Sequence, residues 1–293
     1  MKKIEGSLTA LVTPFRKDGS VWYERLEKLI DWQIEQGSDG IVVLGTTGEA
    51  ATLSENEQQE VCRCAVRQAA GRVPVIAGCG SNNPQVMLEK ALACQQAGAD
   101  ALLLSAPYYN KGNPEGIYRH FKYVADGVEL PCILYNVPGR TACPIPEEIV
   151  ARLAVHPNVC GIKEASGDIS YAVRIARLVG EDFALYSGND DQILPVLALG
   201  GSGVISVWAN LMPAACHRLV ERFMAGDLPA ARKLQLDHLE LIRGLFLEVN
   251  PIPVKAAMNR MGLEVGGYRL PLYPMSEENS RRLSALLREY ALI

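Results

Sequence analysis

Val159-Cys160-Gly161-Ile162-Lys163 is a short apolar run that ends in a lysine and leads into the polar turn Glu164-Ala165-Ser166-Gly167-Asp168. A strand without polar alternation is typical of a parallel sheet that is covered on both faces. Burial of the Lys163 amine disfavours its charged form, and a neutral amine attacks carbonyl carbons. The alternative is a strand-end lysine whose stem packs while its charged head stays in water. The rest of the chain decides between these interpretations.

Similar aliphatic runs recur along the chain, and the starts of successive runs are about 20 to 33 residues apart, the length of one βα unit. The intervals carry helix punctuation: Ser54 with Glu57 forms a capping box, and Gly37 and Gly98 are placed to end helices. Eight such units predict an α/β fold, a closed (β/α)8 TIM barrel, with an open parallel sheet plus a helical appendage as the alternative. The predicted strands are Leu8-Val12, Gly40-Leu44, Val73-Ala77, Ala101-Leu104, Cys132-Tyr135, Val159-Lys163, Ala184-Ser187 and Gly203-Ser206.

The strand pattern stops after the eighth run. Only helical segments follow, at about 229–248, 252–261 and 276–289, separated by prolines. We therefore predict a catalytic barrel over residues 1–225 and a C-terminal helical extension over residues 226–293.

The composition of the 293 residues narrows the class of protein. Hydrophobic residues make up 48% of the chain and aromatic residues only 6%, which predicts a large aliphatic core. The net charge is −4 and no basic stripe occurs, so nucleic acid and anionic membranes are not expected as partners. The sequence shows neither a signal peptide nor a membrane-spanning stretch, and we expect a cytoplasmic protein.

The eight cysteines and four histidines do not form a metal-binding pattern. No C-x-x-C pair and no H-E-x-x-H motif occurs, and the histidines are far apart in the sequence. We interpret the cysteines as reduced, mostly buried small hydrophobic residues, and we predict no metal site.

Polar residues follow several predicted strands at the point where each strand ends. The loop Gly45-Thr46-Thr47-Gly48-Glu49 offers hydroxyl and N–H groups to a carboxylate or phosphate. Tyr109 follows strand four, Tyr135 and Arg140 accompany strand five, and Lys163 ends strand six. A TIM barrel gathers its strand ends at one rim, so these residues are expected to converge. Their convergence favours the functional interpretation of Lys163.

This combination of residue types indicates lysine-imine (Schiff base) chemistry. A neutral lysine converts a ketone into an imine, which stabilises the making or breaking of an adjacent carbon–carbon bond. No histidine is predicted at the rim, so tyrosine and threonine hydroxyls are the expected proton carriers. Arg140 offers a bidentate grip on a carboxylate. The residues alone therefore predict an aldolase or synthase that acts on a keto acid.

An ordered set of motifs resembles the dihydrodipicolinate synthase / N-acetylneuraminate lyase family over nearly the whole chain. The position of Arg140 after the tyrosine motif favours the dihydrodipicolinate synthase branch of that family. The motifs are Gly45-Thr46-Thr47-Gly48-Glu49, Pro107-Tyr108-Tyr109-Asn110, Leu134-Tyr135-Asn136-Val137-Pro138-Gly139-Arg140-Thr141, Gly161-Ile162-Lys163-Glu164-Ala165, Gly203-Val204-Ile205-Ser206 and Asn250-Pro251-Ile252-Pro253-Val254-Lys255.

The resemblance implies a role for each rim residue. Lys163 would form the imine with pyruvate, and no separate cofactor would be needed. Tyr135 would pass protons through Thr47 to Tyr109, which a neighbouring subunit would contribute within a homotetramer built from tight dimers. The residues implied to bind substrate are Thr46 and Thr47 for the pyruvate carboxylate, Gly188 and Ile205 in the pyruvate pocket, and Arg140 for the carboxylate of L-aspartate semialdehyde.

The resemblance also implies a cleft for the inhibitor lysine at the dimer interface, where this chain departs from the pattern. Ala51, Asn82 and Tyr108 match the cleft. Val86 stands where lysine-sensitive members carry a glutamate, and Glu55 and Gln58 replace histidines. We therefore expect a cleft that no longer functions, with weak or absent inhibition by lysine.

Two alternative functions remain open at this point. The first is a pyruvate-dependent aldolase that acts on a sialic acid or a keto-deoxy sugar acid, since the loop Gly188-Asn189-Asp190-Asp191 and Trp208 depart from the common pattern. The second is a catalytically silent barrel that binds a small acid.

For the dihydrodipicolinate synthase branch, the resemblance implies that the reaction of pyruvate with L-aspartate semialdehyde yields 4-hydroxy-tetrahydrodipicolinate, the heterocyclic precursor of diaminopimelate and lysine.

Overall fold

Eight parallel strands close into a barrel in the order in which they occur along the chain. The computed structural model describes residues 3–293; Met1 and Lys2, which belong to the predicted barrel segment, lie outside the described residues. The closed barrel confirms the predicted (β/α)8 architecture over the open sheet. The strands are β1 (Gly6–Ala10), β2 (Gly40–Val43), β3 (Val75–Gly78), β4 (Ala101–Ser105), β5 (Cys132–Asn136), β6 (Val159–Glu164), β7 (Ala184–Ser187) and β8 (Gly203–Ser206).

The barrel closes where β8 pairs with β1, with Gly203 directly opposite Gly6. A Cβ atom on Gly203 would lie 1.9 Å from the carbonyl oxygen of Gly6, and the φ angle of Gly203 is +151°. A side chain would have neither space nor a favourable backbone conformation here. Glycine at this position therefore allows the first and last strands to meet.

Helices cover the outside of the barrel and form the C-terminal part of the chain. The capping box is confirmed: the Ser54 side chain accepts from the Glu57 N–H, and the Glu57 carboxylate accepts from the Ser54 N–H. No helix in residues 3–293 is both long and apolar enough to cross a membrane. The helices are α1 (Tyr23–Glu35), α2 (Glu55–Ala69), α3 (Pro84–Gln96), α4 (Pro114–Asp126), α5 (Pro138–Thr141), α6 (Glu147–Ala154), α7 (Ile169–Leu178), α8 (Ile193–Ala198), α9 (Pro213–Met224), α10 (Leu228–Asp237), α11 (Leu239–Gly244), α12 (Ile252–Arg260) and α13 (Glu277–Glu289).

The predicted continuous helix over 229–248 is wrong, because the chain breaks at His238 into α10 and α11. The His238 ring packs against Trp208 with 4.9 Å between ring centroids and stacks on Tyr290 at 5.7 Å. These contacts place the ring between the segment that follows β8 and the end of α13, at the point where the helix is interrupted. The division of the chain at residues 225 and 226 stays a prediction.

The core has two layers, one inside the barrel and one between the strands and the helices. On β6, Ile162 belongs to the outer layer, and its neighbour Lys163 points to the other side because side chains alternate along a strand. Lys163 pairs in register with Tyr135 on β5 and Tyr186 on β7, which both belong to the interior cluster. The strand period therefore directs the Lys163 amine into the barrel.

Candidate active site

Lys163 lies at the carboxyl end of β6, at the base of a cavity of about 200 Å³. Lys163 as a whole is 6% exposed, and its Nζ atom lies 4.5 Å from the centre of the Tyr135 ring. No hydrogen bond or ion pair joins Nζ to another residue in the range 3–293. A lysine that is almost enclosed, lines a cavity and forms no hydrogen bond or ion pair among the described residues fits the nucleophilic interpretation better than a lysine with a solvated head. The predicted residues that line this cavity are Thr46, Thr47, Tyr135, Arg140, Lys163 and Gly188.

Gly188, which follows β7, leaves room for the Lys163 side chain. A Cβ atom at Gly188 would lie 3.1 Å from Lys163 Cε, 2.9 Å from the Glu164 carbonyl oxygen and 2.5 Å from Ala165 Cβ. The Gly188 N–H also donates to the Glu164 carbonyl over 2.6 Å, which holds the two strand ends together. Two of these neighbours are backbone or Cβ atoms that cannot move aside cheaply, so the close approach requires glycine.

The loop behind β2 presents Thr46 and Thr47 to the cavity. It is a tight turn, in which the Gly48 N–H donates to the Gly45 carbonyl and the Glu49 N–H donates to the Thr46 carbonyl. Asn250 Nδ2 donates to Thr47 Oγ1 over 2.9 Å. Because Thr47 Oγ1 accepts this bond, its own hydrogen remains free to be donated to a ligand or to a proton relay.

Arg140 reaches the same cavity from α5, the single turn that follows β5. Its Nη2 donates to the carbonyl oxygen of Asn250 over 3.1 Å. The other guanidinium N–H groups are available to bind a carboxylate. Asn250 thus contacts both Thr47 and Arg140, a role that the sequence did not predict. Its place in the Asn250–Lys255 motif was the one available signal, since its partners lie more than 100 residues away.

Two buried carboxyl groups, Glu164 and Asp190, hold the strand ends around Lys163. Glu164 accepts from Asn136 Nδ2 over 2.7 Å and from the Ser166 N–H over 2.6 Å. Asp190 Oδ2 accepts from two consecutive backbone N–H groups after β8, at 3.0 and 2.8 Å. Burial raises the pKa of both carboxyl groups. These residues fix the backbone on either side of the lysine.

Two of the predicted site residues lie outside this cavity. Tyr109 is 91% exposed, so its side chain projects away from the rest of the subunit. Ile205 is fully buried in the interior cluster of the barrel and does not line the cavity. The single chain therefore brings together the lysine, Tyr135, the threonine pair and Arg140, but not Tyr109.

The residues of the predicted effector cleft lie beside the site. Ala51, Gln58 and Tyr108 line a neighbouring cavity of about 360 Å³ that Thr46, Tyr135 and Arg140 also line. Glu55, Gln58 and Val86 line a smaller cavity of about 60 Å³. Asn82 accepts a bond from Asn110 Nδ2 through its backbone carbonyl, over 3.0 Å.

The comparisons with known proteins agree with this geometry. The model of the dihydrodipicolinate synthetase family matches residues 3–290. The chain is 48% identical to the 4-hydroxy-tetrahydrodipicolinate synthase of Thermoanaerobacter sp. (strain X514) over 294 residues, which cover 100% of this chain and 99% of that relative.

Solved structures give the same result. The dihydrodipicolinate synthase from Aquifex aeolicus superposes with a TM-score of 0.96 at 41% identity, covering 98% of each chain. The chloride-inhibited dihydrodipicolinate synthase from Acinetobacter baumannii, in complex with pyruvate, superposes with a TM-score of 0.97 at 44% identity, covering 99% of this chain and 100% of that one. The fold, the ordered motifs and the match along the whole chain together show that this chain belongs to the dihydrodipicolinate synthase family.

Proposed function

We propose that this chain condenses pyruvate with L-aspartate 4-semialdehyde through an imine on Lys163, which makes it a lyase of diaminopimelate and lysine biosynthesis. The observation that carries the proposal is the Lys163 side chain, which is 6% exposed and forms no hydrogen bond or ion pair within residues 3–293, in one cavity with Thr46, Thr47 and Arg140. The cavity supplies a nucleophile that attacks a ketone and side chains that bind two carboxylates. Pyruvate carries the ketone, and each of the two substrates carries one carboxylate. The relatives named 4-hydroxy-tetrahydrodipicolinate synthase support the choice of reaction.

The first half of the reaction activates pyruvate. Lys163 Nζ attacks C2 of pyruvate, and the carbinolamine loses water to form the imine. Thr46 and Thr47 hold the pyruvate carboxylate, and Tyr135 exchanges the protons that these steps require. Loss of a proton from C3 then gives an enamine. The free hydroxyl hydrogen of Thr47 lets it link Tyr135 to a further proton carrier.

The second half joins the two substrates. C3 of the enamine attacks the aldehyde carbon of L-aspartate semialdehyde, whose oxygen takes up a proton and becomes the 4-hydroxyl group. Arg140 holds the carboxylate of this substrate. The substrate's amino group then attacks C2 and displaces Lys163, which closes the ring and regenerates the enzyme. Overall, pyruvate and the semialdehyde give 4-hydroxy-tetrahydrodipicolinate and one water.

The exposed position of Tyr109 supports self-association as part of this proposal. A tyrosine that is 91% exposed in the subunit is available to complete the relay in a neighbour. We therefore propose a homotetramer built from dimers that exchange Tyr109.

The eight cysteines are free thiols, seven of them buried, which supports a reducing compartment and hence a cytoplasmic location.

The test is steady-state turnover of pyruvate with L-aspartate semialdehyde, combined with borohydride reduction in pyruvate alone and mass analysis of the adduct. We expect kcat/KM of about 10⁴ M⁻¹s⁻¹ or more, an adduct on Lys163, and loss of both in Lys163→Ala. The exposed Lys17 serves as the control, since Lys17→Ala should keep both. An adduct without turnover would indicate a pyruvate-dependent aldolase that acts on a sugar acid instead. Absence of the adduct would favour the silent barrel and contradict the proposal.

A further inference from the structure

Glu49 and Lys255 form a fully enclosed ion pair close to the carboxylate-binding loop. Lys255 Nζ lies 2.7 Å from Glu49 Oε1, and both side chains are 0% exposed. Glu49 is the last residue of the Gly45–Glu49 loop, whereas Lys255 lies on α12 in the C-terminal part of the chain. The pair therefore ties two segments that are 206 residues apart.

Neighbouring groups satisfy both charges. Lys255 Nζ also donates to the Thr13 carbonyl over 3.0 Å and lies 4.3 Å from the centre of the Phe15 ring. Glu49 Oε2 accepts from the backbone N–H of Arg269 over 3.2 Å. Burial lowers the pKa of Lys255, and the Glu49 carboxylate opposes that effect. Such a pair contributes little net stability compared with apolar side chains, which suggests another reason for its presence.

The backbone of the loop gives that reason. Glu49 has a φ angle of +53° and Leu44, at the other end of the loop, has a φ angle of +58°. Neither residue is a glycine, so both positions are strained and need surrounding contacts to hold them. The Glu49 N–H donates to the Thr46 carbonyl over 3.1 Å. The conformation of Glu49 is thus coupled directly to the residue that faces the cavity.

We infer that Lys255 is a positioning residue, whose ion pair with Glu49 holds the loop in the strained conformation that presents Thr46 and Thr47 to the carboxylate of the keto acid. This inference rests on the proposed use of pyruvate. Lys255 does not touch the substrate; it acts through Glu49. The effect should therefore fall on pyruvate binding more than on the chemistry at Lys163.

The main test is the double variant Glu49→Gln/Lys255→Met, which leaves no buried charge and keeps an acceptor for the Arg269 N–H. We expect a folded protein whose KM for pyruvate rises about 10-fold while kcat at saturating pyruvate changes less than about 3-fold. The control is Lys233→Met/Asp237→Asn, which removes an exposed pair elsewhere in the C-terminal part. This control should leave KM unchanged.

A second variant keeps the test decisive if the double variant does not fold. Glu49→Asp preserves both charges but shortens the side chain by one methylene, so the carboxylate reaches Lys255 only if the loop moves. We expect a rise in the KM for pyruvate here as well. A folded variant of either kind with the wild-type KM would overturn the inference and leave the pair a purely structural contact. Failure of the proposed function is separate, because it would appear in the wild type itself, as no pyruvate adduct or no turnover with L-aspartate semialdehyde.

Discussion

Asn250 Nδ2 donates to Thr47 Oγ1 over 2.9 Å and so joins the segment between α11 and α12 to the loop behind β2. The backbone carbonyl of the same residue accepts from Arg140 Nη2. One asparagine therefore touches groups that we assign to the two different substrates. Because Thr47 accepts this bond, its own hydroxyl hydrogen is available to a group in the cavity.

The direction of this bond can be tested with two substitutions at Asn250. Asn250→Ala removes the donor, and loss of one hydrogen bond worth about 1 kcal/mol should lower kcat/KM for pyruvate about 5- to 10-fold. Asn250→Asp should be worse, because a carboxylate accepts the Thr47 hydrogen and turns the hydroxyl away from the relay. Steady-state kinetics of both variants give the comparison. Equal activity of Asn250→Asp and the wild type would contradict the assigned direction.

The contact between Gly188 and Lys163 leads to a second prediction. In Gly188→Ala, the new methyl group meets Lys163 Cε, the Glu164 carbonyl and Ala165 Cβ at 3.1 Å or less. The flexible lysine is the group that moves most easily, so we expect loss of the reduced pyruvate adduct with a modest fall in melting temperature. Gly180→Ala is the control, since a Cβ there meets nothing within 4 Å. An adduct formed at the wild-type rate would show that Lys163 tolerates the methyl group.

The barrel and the position of Lys163 were predictable because they follow from local patterns. Apolar runs with capped helices between them imply alternating β and α units, and the period of two along β6 places Lys163 and Ile162 on opposite sides. The break at His238 coincides with packing of its ring on Trp208 and Tyr290, contacts between distant segments that helical periodicity does not reveal.

The contacts that complete the site were not predictable, because they join distant segments. Asn250 meets Thr47 across 203 residues, and Lys255 meets Glu49 across 206. Hydrophobic period and residue type carry no signal for such pairs, which arise only when the C-terminal helices fold against the barrel rim.

Exchange of Tyr109 between subunits predicts rescue in mixed oligomers. Tyr109→Phe should lower kcat by about 10²-fold through loss of a proton carrier, and Lys163→Ala should be inactive. In a dimer of one subunit of each variant, one site combines an intact Lys163 with an intact Tyr109 from the other chain. Random mixing should therefore restore about one quarter of wild-type sites. Activity of the refolded mixture is the measurement, and no gain over the unmixed variants would mean that Tyr109 does not act across subunits.

The chemistry of the effector cleft predicts weak or absent inhibition by L-lysine. Val86 has no carboxylate that could pair with the amino group of lysine. The loss of a charge-assisted bond of about 1.5–3 kcal/mol lowers the affinity for lysine more than 10-fold. Lys90 lines the same small cavity and adds a repelling cation, while Glu55 and Glu89, which also line it, are exposed to solvent. We expect Val86→Glu to increase sensitivity to lysine. An inhibition constant of the wild type in the low micromolar range would contradict this interpretation.

His120 on α4 predicts a specific loss of stability in acid. Burial lowers the pKa of His120 from 6.5 to about 4, and its Nε2 atom has no hydrogen-bond partner in residues 3–293. Between pH 6.5 and pH 4 the unfolded chain takes up a proton at this residue and the folded chain does not, so the free energy of unfolding falls as the pH is lowered. The shift corresponds to a loss of about 3 kcal/mol in the free energy of unfolding, nearly complete at pH 4.

Denaturant unfolding at fixed protein concentration should show a smaller decline in the free energy of unfolding over this pH range in His120→Gln. His217→Gln, at a histidine paired with Asp39, should keep the contribution of His120. An unchanged pH dependence in His120→Gln would mean that other groups cause the acid sensitivity.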